Sequence, residues 1–159
     1  MTVVIPLAAI ALLTATDQII KYFVQQFLQP VGEIPFIDGI IGWRYLRNTG
    51  AAFGSFSDFT IPLSIVTGIV LAVGLYLIIA KKIKSKFYLV CAVMIISGGL
   101  GNLIDRIFRH YVVDYIEVRF MNFAFFNFAD ILVTVGAIML IVYLIVDIFR
   151  DGKRVKKSE

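Results

Sequence analysis

The sequence predicts a mainly α-helical membrane protein, in which a bundle of four transmembrane helices carries a small strand-rich element. The first observation is composition: 60% of the 159 residues are hydrophobic and only 16% are charged, against roughly 25% charged in soluble domains. The second is that the hydrophobic residues gather in four stretches, each close to the ~20 helical residues that cross a bilayer. A chain of this length is short enough to form a single domain, residues 1–159.

The four apolar stretches cover approximately residues 3–24, 61–80, 87–106 and 127–148. The second stretch, IPLSIVTGIVLAVGLYLIIA, contains no charged residue, whereas the other three carry polar residues near one end. The first stretch lacks the basic start and the clear cleavage site of a signal peptide. We therefore predict that it is a retained helix and that all four stretches span the membrane.

Two further segments, about 25–60 and 107–126, connect the spans on one side of the membrane. The first contains several Pro and Gly residues and then IGWRYLRN, whose aromatic and β-branched residues are typical of a strand. Trp43 and Tyr45 suit the membrane–water interface, and the second segment is likewise dense in Phe and Tyr. These segments predict a small strand-rich element lying on the outer membrane surface.

Most basic residues are found in two short segments. Nine of the fifteen Lys and Arg residues lie in one loop or in the C-terminal tail: Lys81, Lys82, Lys84, Lys86, Arg150, Lys153, Arg154, Lys156 and Lys157. This is the distribution of the positive-inside rule and not that of a nucleic-acid-binding surface, so no nucleic-acid partner is expected. It predicts a multi-pass protein of the cell membrane, with loop 81–86 and both termini in the cytoplasm.

With this topology, polar residues from five separate segments meet at the outer face of the bundle. They are Asp17, Lys21, Asn48, Asn102, Asp105, Arg106, Asp114, Asn127 and Asp130. Ionisable residues at membrane depth face the interior of a bundle or a cavity, and they are candidates for function. The sequence therefore predicts a polar site at the outer boundary of the membrane.

Several of these residues also have a purely structural interpretation. Asp17 and Lys21 are spaced i,i+4 and can neutralise each other on one helix face, as can Asp105 and Arg109. Asp114 is harder to explain in this way, because apolar residues flank it and no cationic partner lies nearby in the sequence.

The same holds for the start of the fourth span and for the glycines of the third. Asn127 can cap a helix, with Asp130 at the third helical position, where a carboxylate is favoured. Gly98, Gly99 and Gly101 permit close packing of helices. They would also leave the third span with a smooth face, against which a substrate helix or an acyl chain can lie.

Asp114 and Asp130 lie on different segments at one membrane face, and this pairing suggests a chemistry. Two Asp side chains held a few ångströms apart cannot both ionise cheaply, so they share a proton. The ionised carboxylate can deprotonate a water while the protonated one polarises a carbonyl group, which is aspartic hydrolysis of an amide. This reaction needs no metal and no cofactor, and the single cysteine, Cys91, and single histidine, His110, offer no zinc site.

Five stretches of the chain resemble the lipoprotein signal peptidase family, the signal peptidases II of bacteria. They are DQIIK (17–21), NTGAAFG (48–54), GGLGNLIDR (98–106), VVDYI (112–116) and FNFAD (126–130). Each stretch alone is modest, but together they follow the family's order and spacing over most of the chain. The resemblance is therefore specific.

The resemblance implies four transmembrane helices, an outer β-cradle and a short interfacial helix. It implies an aspartyl peptidase that removes the signal peptide of diacylglyceryl-modified prolipoproteins, cutting on the amino side of the modified cysteine. Carried over by motif, the catalytic residues are Asp114 and Asp130, at the extracytoplasmic face. The residues that bind substrate or support the site are Asp17, Lys21, Asn48, Gly98, Asn102, Arg106 and Asn127. We expect a monomer whose partners are its prolipoprotein substrates and membrane lipids.

Two other functions stay open at this point. A small proton-coupled transporter would use the Asp and Lys residues as a proton relay, and it would need polar groups through the whole membrane depth. The cytoplasmic halves of spans two to four are apolar, which argues against it. A non-enzymatic chaperone or assembly factor would use the carboxylates only as ion-pair partners, so that Asp114→Asn would lower stability more than activity.

Overall fold

Four long helices make up most of the chain. The computed structural model describes residues 2–49, 60–120 and 124–155. In these residues the long helices are α1 (Val4–Phe23), α2 (Thr60–Ile79), α3 (Lys86–Phe108) and α4 (Phe128–Val155). Each contains a stretch long and apolar enough to cross a membrane, which confirms the four predicted spans.

The first helical segment is longer than predicted. A π-helical turn, Val24–Leu28, and a final turn, Gln29–Val31, continue α1 into residues that were expected to belong to the outer connection. The chain stays helical here because the residues of these turns are partly apolar and Leu28 is buried against Tyr115. Gly32 then ends the helix with a φ of +88°, a conformation that favours glycine.

A four-stranded antiparallel sheet lies beside the bundle. Its strands pair in chain order: β1 (Glu33–Ile37), β2 (Ile41–Asn48), β3 (Val112–Val118) and β4 (Ala124–Phe126). The pairing of β2 with β3 sets Leu46 opposite Asp114, with an irregularity in register between Trp43 and Leu46. The predicted strand-rich element is confirmed, and it joins the two outer connections into one sheet.

The short interfacial helix implied by the resemblance does not occur as a separate element within residues 2–49, 60–120 and 124–155. Residues 50–59 and 121–123 lie outside the described part of the chain. The NTGAAFG stretch is therefore described only at its first two residues, Asn48 and Thr49.

α3 is the central helix, because it packs against α1, α2 and α4. A cluster of buried apolar side chains fills the bundle where these helices meet: Ile10, Leu71, Ile78, Val93 and Ile96. A second cluster, around Leu28, Val113 and Tyr115, joins the sheet to the end of the first helical segment. The sheet is thereby fixed to the end of the bundle where the predicted polar residues lie.

Two glycines of α3 are covered by the protein's own residues. A Cβ at Gly98 would meet the carbonyl oxygen of Ala129 and, at 2.9 Å, a methyl group of Val133. A Cβ at Gly101 would meet the carboxylate of Asp17, with the carboxyl carbon at 3.0 Å. The expectation that Gly98 and Gly101 leave a smooth face for a substrate is wrong, because α1 and α4 already occupy that face. Their role in close helix packing is confirmed.

Candidate active site

Lys21 is the centre of a buried charged cluster. Its ammonium group lies 2.9 Å from Asp17 Oδ2, 2.9 Å from Asp105 Oδ2 and 3.0 Å from Asn102 Oδ1. The side chains of Lys21, Asp17 and Asp105 are all 0% exposed. An ammonium group has three protons to donate, and each of them has an acceptor here. The cluster therefore joins α1 to α3 without leaving the lysine unsatisfied.

Asp105 extends this cluster to the sheet. Its Oδ2 accepts the backbone N–H of Val113 at 3.1 Å, and its Oδ1 accepts from Gln18 Nε2 at 3.2 Å and from the guanidinium of Arg109. Gln18 in turn donates to the carbonyl oxygen of Gly101 at 3.0 Å. The predicted i,i+4 pairs Asp17–Lys21 and Asp105–Arg109 are confirmed, and Asp105 also fixes the start of β3 beside them.

Each backbone N–H in the first turn of α4 that lacks an acceptor within the helix donates to another part of the protein or to the capping residue. Phe128 N–H donates to the hydroxyl of Tyr115 at 3.0 Å, Ala129 N–H to Asp17 Oδ1 at 3.1 Å, and Asp130 N–H to Asn127 Oδ1 at 2.9 Å. These are the donors that a helix start leaves unpaired. Their acceptors belong to β3, to α1 and to the capping residue Asn127, so two other elements and the cap hold this helix end in place.

Asn127 and Asp130 form a reciprocal cap. While Asn127 Oδ1 accepts the N–H of Asp130, the backbone N–H of Asn127 donates to Asp130 Oδ2 at 3.0 Å. This arrangement satisfies donors at both positions and sets the direction of the Asp130 carboxylate. The predicted capping role of Asn127 is confirmed.

Asp114 lies in the middle of β3 and is 1% exposed. Its Oδ2 accepts from Asn48 Nδ2 at 2.8 Å, and its Oδ1 accepts from Asn127 Nδ2 at 2.8 Å. The pKa of Asp114 is raised to about 6, chiefly by burial. The hydrogen bond from the Asn48 amide opposes this rise, and the charge of Asp130 adds to it. Asp114 therefore keeps its proton to higher pH than an ordinary aspartate.

Two asparagines connect Asp114 to Asp130. Asn102 Nδ2 donates to Asp130 Oδ1 at 2.7 Å, and Asn127 Nδ2 donates both to Asp114 and, at 3.1 Å, to Asn102 Oδ1. The orientation of Asn102 is determined by Lys21, which can only donate, so the carbonyl oxygen faces Lys21 and the NH₂ group faces Asp130. Through Asn102, the buried Lys21 thus orients the NH₂ groups of Asn102 and Asn127 towards Asp130 and Asp114.

A cavity of about 310 Å³ adjoins this arrangement. Its polar lining comes from Thr67, Asn102, Arg106, Asp130 and Thr134. Apolar residues of α2, α3 and α4 form the rest, with Gly99 on one wall. Arg106 Nε is buried and has no hydrogen-bond partner among the residues that the structure describes. The cavity therefore offers the Asp130 carboxylate and the Arg106 side chain to a molecule that enters between the helices.

The structure brings most of the predicted residues into one network. Asp17, Lys21, Asn48, Asn102, Asp114, Asn127 and Asp130 are connected by the hydrogen bonds given above. Arg106 lines the cavity, and Gly98 packs against α4. His110 is exposed and Cys91 is fully buried.

Three residues of the network were not among the predicted site residues. Asp105 was placed at the outer polar face but explained by its pairing with Arg109, although its spacing of three from Asn102 puts both on one face of α3. Gln18 and Tyr115 gave no signal, because a Gln beside an Asp and a Tyr in an aromatic strand are common. Their contacts, to Asp105 and to Phe128 N–H, join segments far apart in the chain.

Comparisons with known proteins found similar sequences and a similar solved structure. The family described as signal peptidase (SPase) II matches residues 9–146. A lipoprotein signal peptidase of Clostridium novyi (strain NT) is 41% identical over 140 residues, which cover 86% of this chain and 92% of that protein. One of Enterococcus faecalis is 40% identical over 137 residues, which cover 86% of this chain and 85% of that protein. A solved structure described as a bacterial membrane enzyme has a TM-score of 0.79 and 29% identity, covering 89% of this chain and 88% of that one.

Proposed function

The chain belongs to the signal peptidase II family, and from this premise we propose that Asp114 and Asp130 are the catalytic pair of an aspartyl peptidase. The substrate is a prolipoprotein in the cell membrane, cut on the amino side of a diacylglyceryl-modified cysteine. The observation that carries the proposal is Asn127, which hydrogen-bonds Asp114 through its side chain and Asp130 through its backbone and its side-chain oxygen. One residue thereby holds both carboxylates beside a cavity.

The proposed reaction is hydrolysis of a peptide bond by water. The ionised carboxylate takes a proton from water as the water oxygen attacks the carbonyl carbon, and the protonated carboxyl group donates its proton to the carbonyl oxygen. The C–N bond of the resulting diol then breaks. The leaving nitrogen takes the proton that came from water, and a diol hydroxyl returns a proton to the other carboxylate. The pair ends in its starting protonation state.

The two carboxyl groups take different roles in this scheme. Asp114, which is buried and has a pKa of about 6, is the group that starts protonated. Asp130, which lines the cavity and accepts two hydrogen bonds, starts ionised and receives the proton of water. Arg106 Nε, unpaired among the described residues, donates to the backbone of the substrate.

The lipid of the substrate positions its scissile bond. A signal-peptide helix alone can slide and tilt, since hydrophobic mismatch costs only fractions of a kcal/mol per ångström. Two acyl chains on the cysteine beside the cut hold that bond at the depth of the site, with ~0.8 kcal/mol of anchoring for each buried CH₂. In this proposal one chain is the active unit, its termini are cytoplasmic and the site faces the outside.

The test is cleavage of a purified diacylglyceryl-modified prolipoprotein, followed as a size shift. Asp114→Asn and Asp130→Asn should each lose nearly all turnover, and the double variant should be little worse than either single one, since the groups act as a unit. Asp38→Asn, in the exposed turn between β1 and β2, is the matched control and should keep full activity. Cleavage near the parent rate by either catalytic variant would overturn the assignment.

The rival functions fit the described residues less well. A proton relay needs polar groups through the membrane, but the buried charged side chains among the described residues lie at the sheet end of the bundle: Asp17, Lys21, Asp105 and Asp114. If the carboxylates had a purely structural role, Asp114→Asn would lower the stability of the protein more than its activity. Measuring thermal unfolding of Asp114→Asn beside its cleavage rate distinguishes that outcome.

A further inference from the structure

A second cavity lies at the opposite end of the bundle from the sheet. It encloses about 610 Å³ between α2, α3 and α4, next to the loop that joins α2 to α3. Its deep walls are apolar, with Val70 and Leu71 from α2, Ile95 from α3 and Leu140 from α4. The candidate active site does not use this space, because the catalytic residues are near the other helix ends.

The mouth of this cavity is basic. Lys82, Lys84 and Ser85 of the connecting loop lie at its rim, and both lysine side chains are exposed. Tyr88 also lines the cavity, and the carboxylate of Asp147 on α4 lies near its hydroxyl. Two cations against one carboxylate leave the rim with a net positive charge. A ligand that fits must therefore combine an anionic head with a long apolar body.

We propose that this cavity binds an anionic phospholipid, with one acyl chain between α2, α3 and α4 and the phosphate at Lys82, Lys84 and Ser85. Basic pockets between transmembrane helices bind anionic lipid headgroups in this way. The length also fits: from Ser85 at the rim to Ile96, both of which line the cavity, the chain rises about 16 Å along α3. This is close to the ~15 Å depth of one leaflet of a bilayer core about 30 Å thick.

The lipid tail would end beside the candidate active site. Val70, Leu71 and Ile95 line both this cavity and the one that contains Asp130. The two spaces therefore share an apolar wall along α2 and α3. A bound acyl chain would fill the part of the bundle behind that wall and support the helices that carry it.

The charge of the rim favours a lipid over the signal peptide of a substrate. A signal peptide is a helix with a positively charged first region, which Lys82 and Lys84 would repel. A phospholipid such as phosphatidylglycerol brings a negative charge to the same place. The inference goes beyond the proposed peptidase reaction and does not depend on it.

The test is a titration of the full chain in dodecyl maltoside, with bound lipid counted by native mass spectrometry. Phosphatidylglycerol should bind at one site more tightly than phosphatidylcholine with the same acyl chains. Glycerol 3-phosphate, which has the head alone, should not compete. The variant Lys82→Gln/Lys84→Gln should bind phosphatidylglycerol about thirtyfold more weakly, since each lysine near a lipid surface contributes ~1 kcal/mol and ~1.4 kcal/mol is tenfold.

Lys81→Gln/Lys86→Gln is the matched control, because it removes the same charge from the same loop without touching this cavity. It should keep the affinity within about threefold of the parent, a difference of ~0.6 kcal/mol. Ala92→Phe, which fills the apolar part and keeps both lysines, should also weaken binding. Equal loss in the two double variants, equal binding of phosphatidylcholine, competition by glycerol 3-phosphate, or displacement of the lipid by a basic signal peptide would each overturn the proposal.

Discussion

Asp114 and Asp130 each accept two hydrogen bonds, yet they differ in how far they are withdrawn from water. Asp114 is 1% exposed and receives its bonds from two amide side chains, Asn48 and Asn127. Asp130 is half-buried, lines a cavity and receives one of its bonds from a backbone N–H. The burial of Asp114 therefore raises its pKa and favours its protonated form, as its proposed role as the acid requires.

A pH profile should report this difference. The pKa of Asp114 is raised to about 6, so Asp114 is protonated below that pH and ionised above it. Because the proposed reaction needs Asp114 protonated, kcat/KM should fall as pH rises through about 6, with the apparent value belonging to the coupled pair. The measurement is kcat/KM for a lipid-modified substrate between about pH 4 and 9.

Asn48→Ala tests whether the fall of kcat/KM with rising pH reports the ionisation of Asp114. The Asn48 amide stabilises ionised Asp114 and lowers its pKa, so its removal should move the descending limb to higher pH. Arg44→Gln, on the same strand, is the control and should leave the midpoint where it is. A shift to lower pH in Asn48→Ala would contradict the role of Asp114 as the acid.

Lys21 should matter for stability as well as for activity. Lys21→Met keeps the length of the side chain but leaves the buried carboxylates of Asp17 and Asp105 without their shared cation. Breaking a buried ion pair in this way costs about 3–5 kcal/mol, so the thermal midpoint in detergent should drop sharply and activity with it. The double variant Asp17→Asn/Lys21→Met should lose less than the sum of the two single losses. An unchanged midpoint in Lys21→Met would contradict this view.

The motif residues could be predicted from the sequence, but their connections could not. The i,i+4 spacing gave Asp17–Lys21, and the helix-start pattern gave the Asn127–Asp130 cap, because both depend on local geometry. The bond from Lys21 to Asp105 depends on how α1 and α3 approach each other, which no local rule contains. For the same reason, Gln18 and Tyr115 were missed.

At the scale of elements, the position of Asp130 depends on how the start of α4 is held. The first-turn N–H groups of this helix donate to Tyr115, Asp17 and Asn127, which belong to β3, α1 and the residue before α4. A shift of any of these elements would move Asp130 relative to Asp114. The capping bonds therefore serve the geometry of the proposed catalytic pair as well as the helix itself.

Glycine substitutions should distinguish rigid from yielding contacts on α3. In Gly98→Ala the new methyl group meets a backbone carbonyl of α4, which cannot move without moving Asp130. Overpacking of this kind costs typically ~1–3 kcal/mol, and we expect lower thermal stability together with a large loss of activity. Gly99→Ala meets only the end of Leu71, at 2.6 Å, which a change of rotamer can relieve.

The comparison of Gly98→Ala with Gly99→Ala is internally matched, because the two glycines are adjacent and the added group is identical. Thermal unfolding and substrate cleavage measure both effects. If Gly99→Ala were the more damaging of the two, the close approach of α3 and α4 would not be what positions the site.

The boundaries of the elements were predicted less well than their presence. Apolar length predicted four spans, and aromatic content predicted the strand Ile41–Asn48, because both are properties of single segments. The continuation of α1 to Val31 was not predicted, since it rests on packing of Leu28 against a strand that is far away in sequence. The prediction that Gly98 leaves a free helix face was wrong, because the sequence of one segment does not show which other helix packs against it.

For the whole molecule, the proposed orientation in the membrane rests on the positions of the basic loop and tail, and cysteine labelling tests it directly. In a Cys91→Ala background, a Cys introduced at Ser85 should react with a membrane-impermeant reagent only from the cytoplasmic side. One introduced at Asp38, in the exposed turn between β1 and β2, should react only from outside. Labelling of Asp38→Cys from inside would reverse the proposed topology and the face on which the site opens.

The partner choice of the buried charges has a consequence for biogenesis. Before α1 and α3 meet, each carries its own neutralising pair one helical turn apart, Asp17 with Lys21 and Asp105 with Arg109. A lone charge costs up to ~3 kcal/mol at the centre of an inserting helix. An oppositely charged partner on the same helix should lower this cost, so that each segment can enter the membrane from the translocon before the next one is made. Only afterwards does Lys21 also bind Asp105, and the helices lock. An isolated α1 segment with Lys21→Ala should therefore integrate less efficiently than the unmodified segment in a translocation assay, and equal integration would refute this order of assembly.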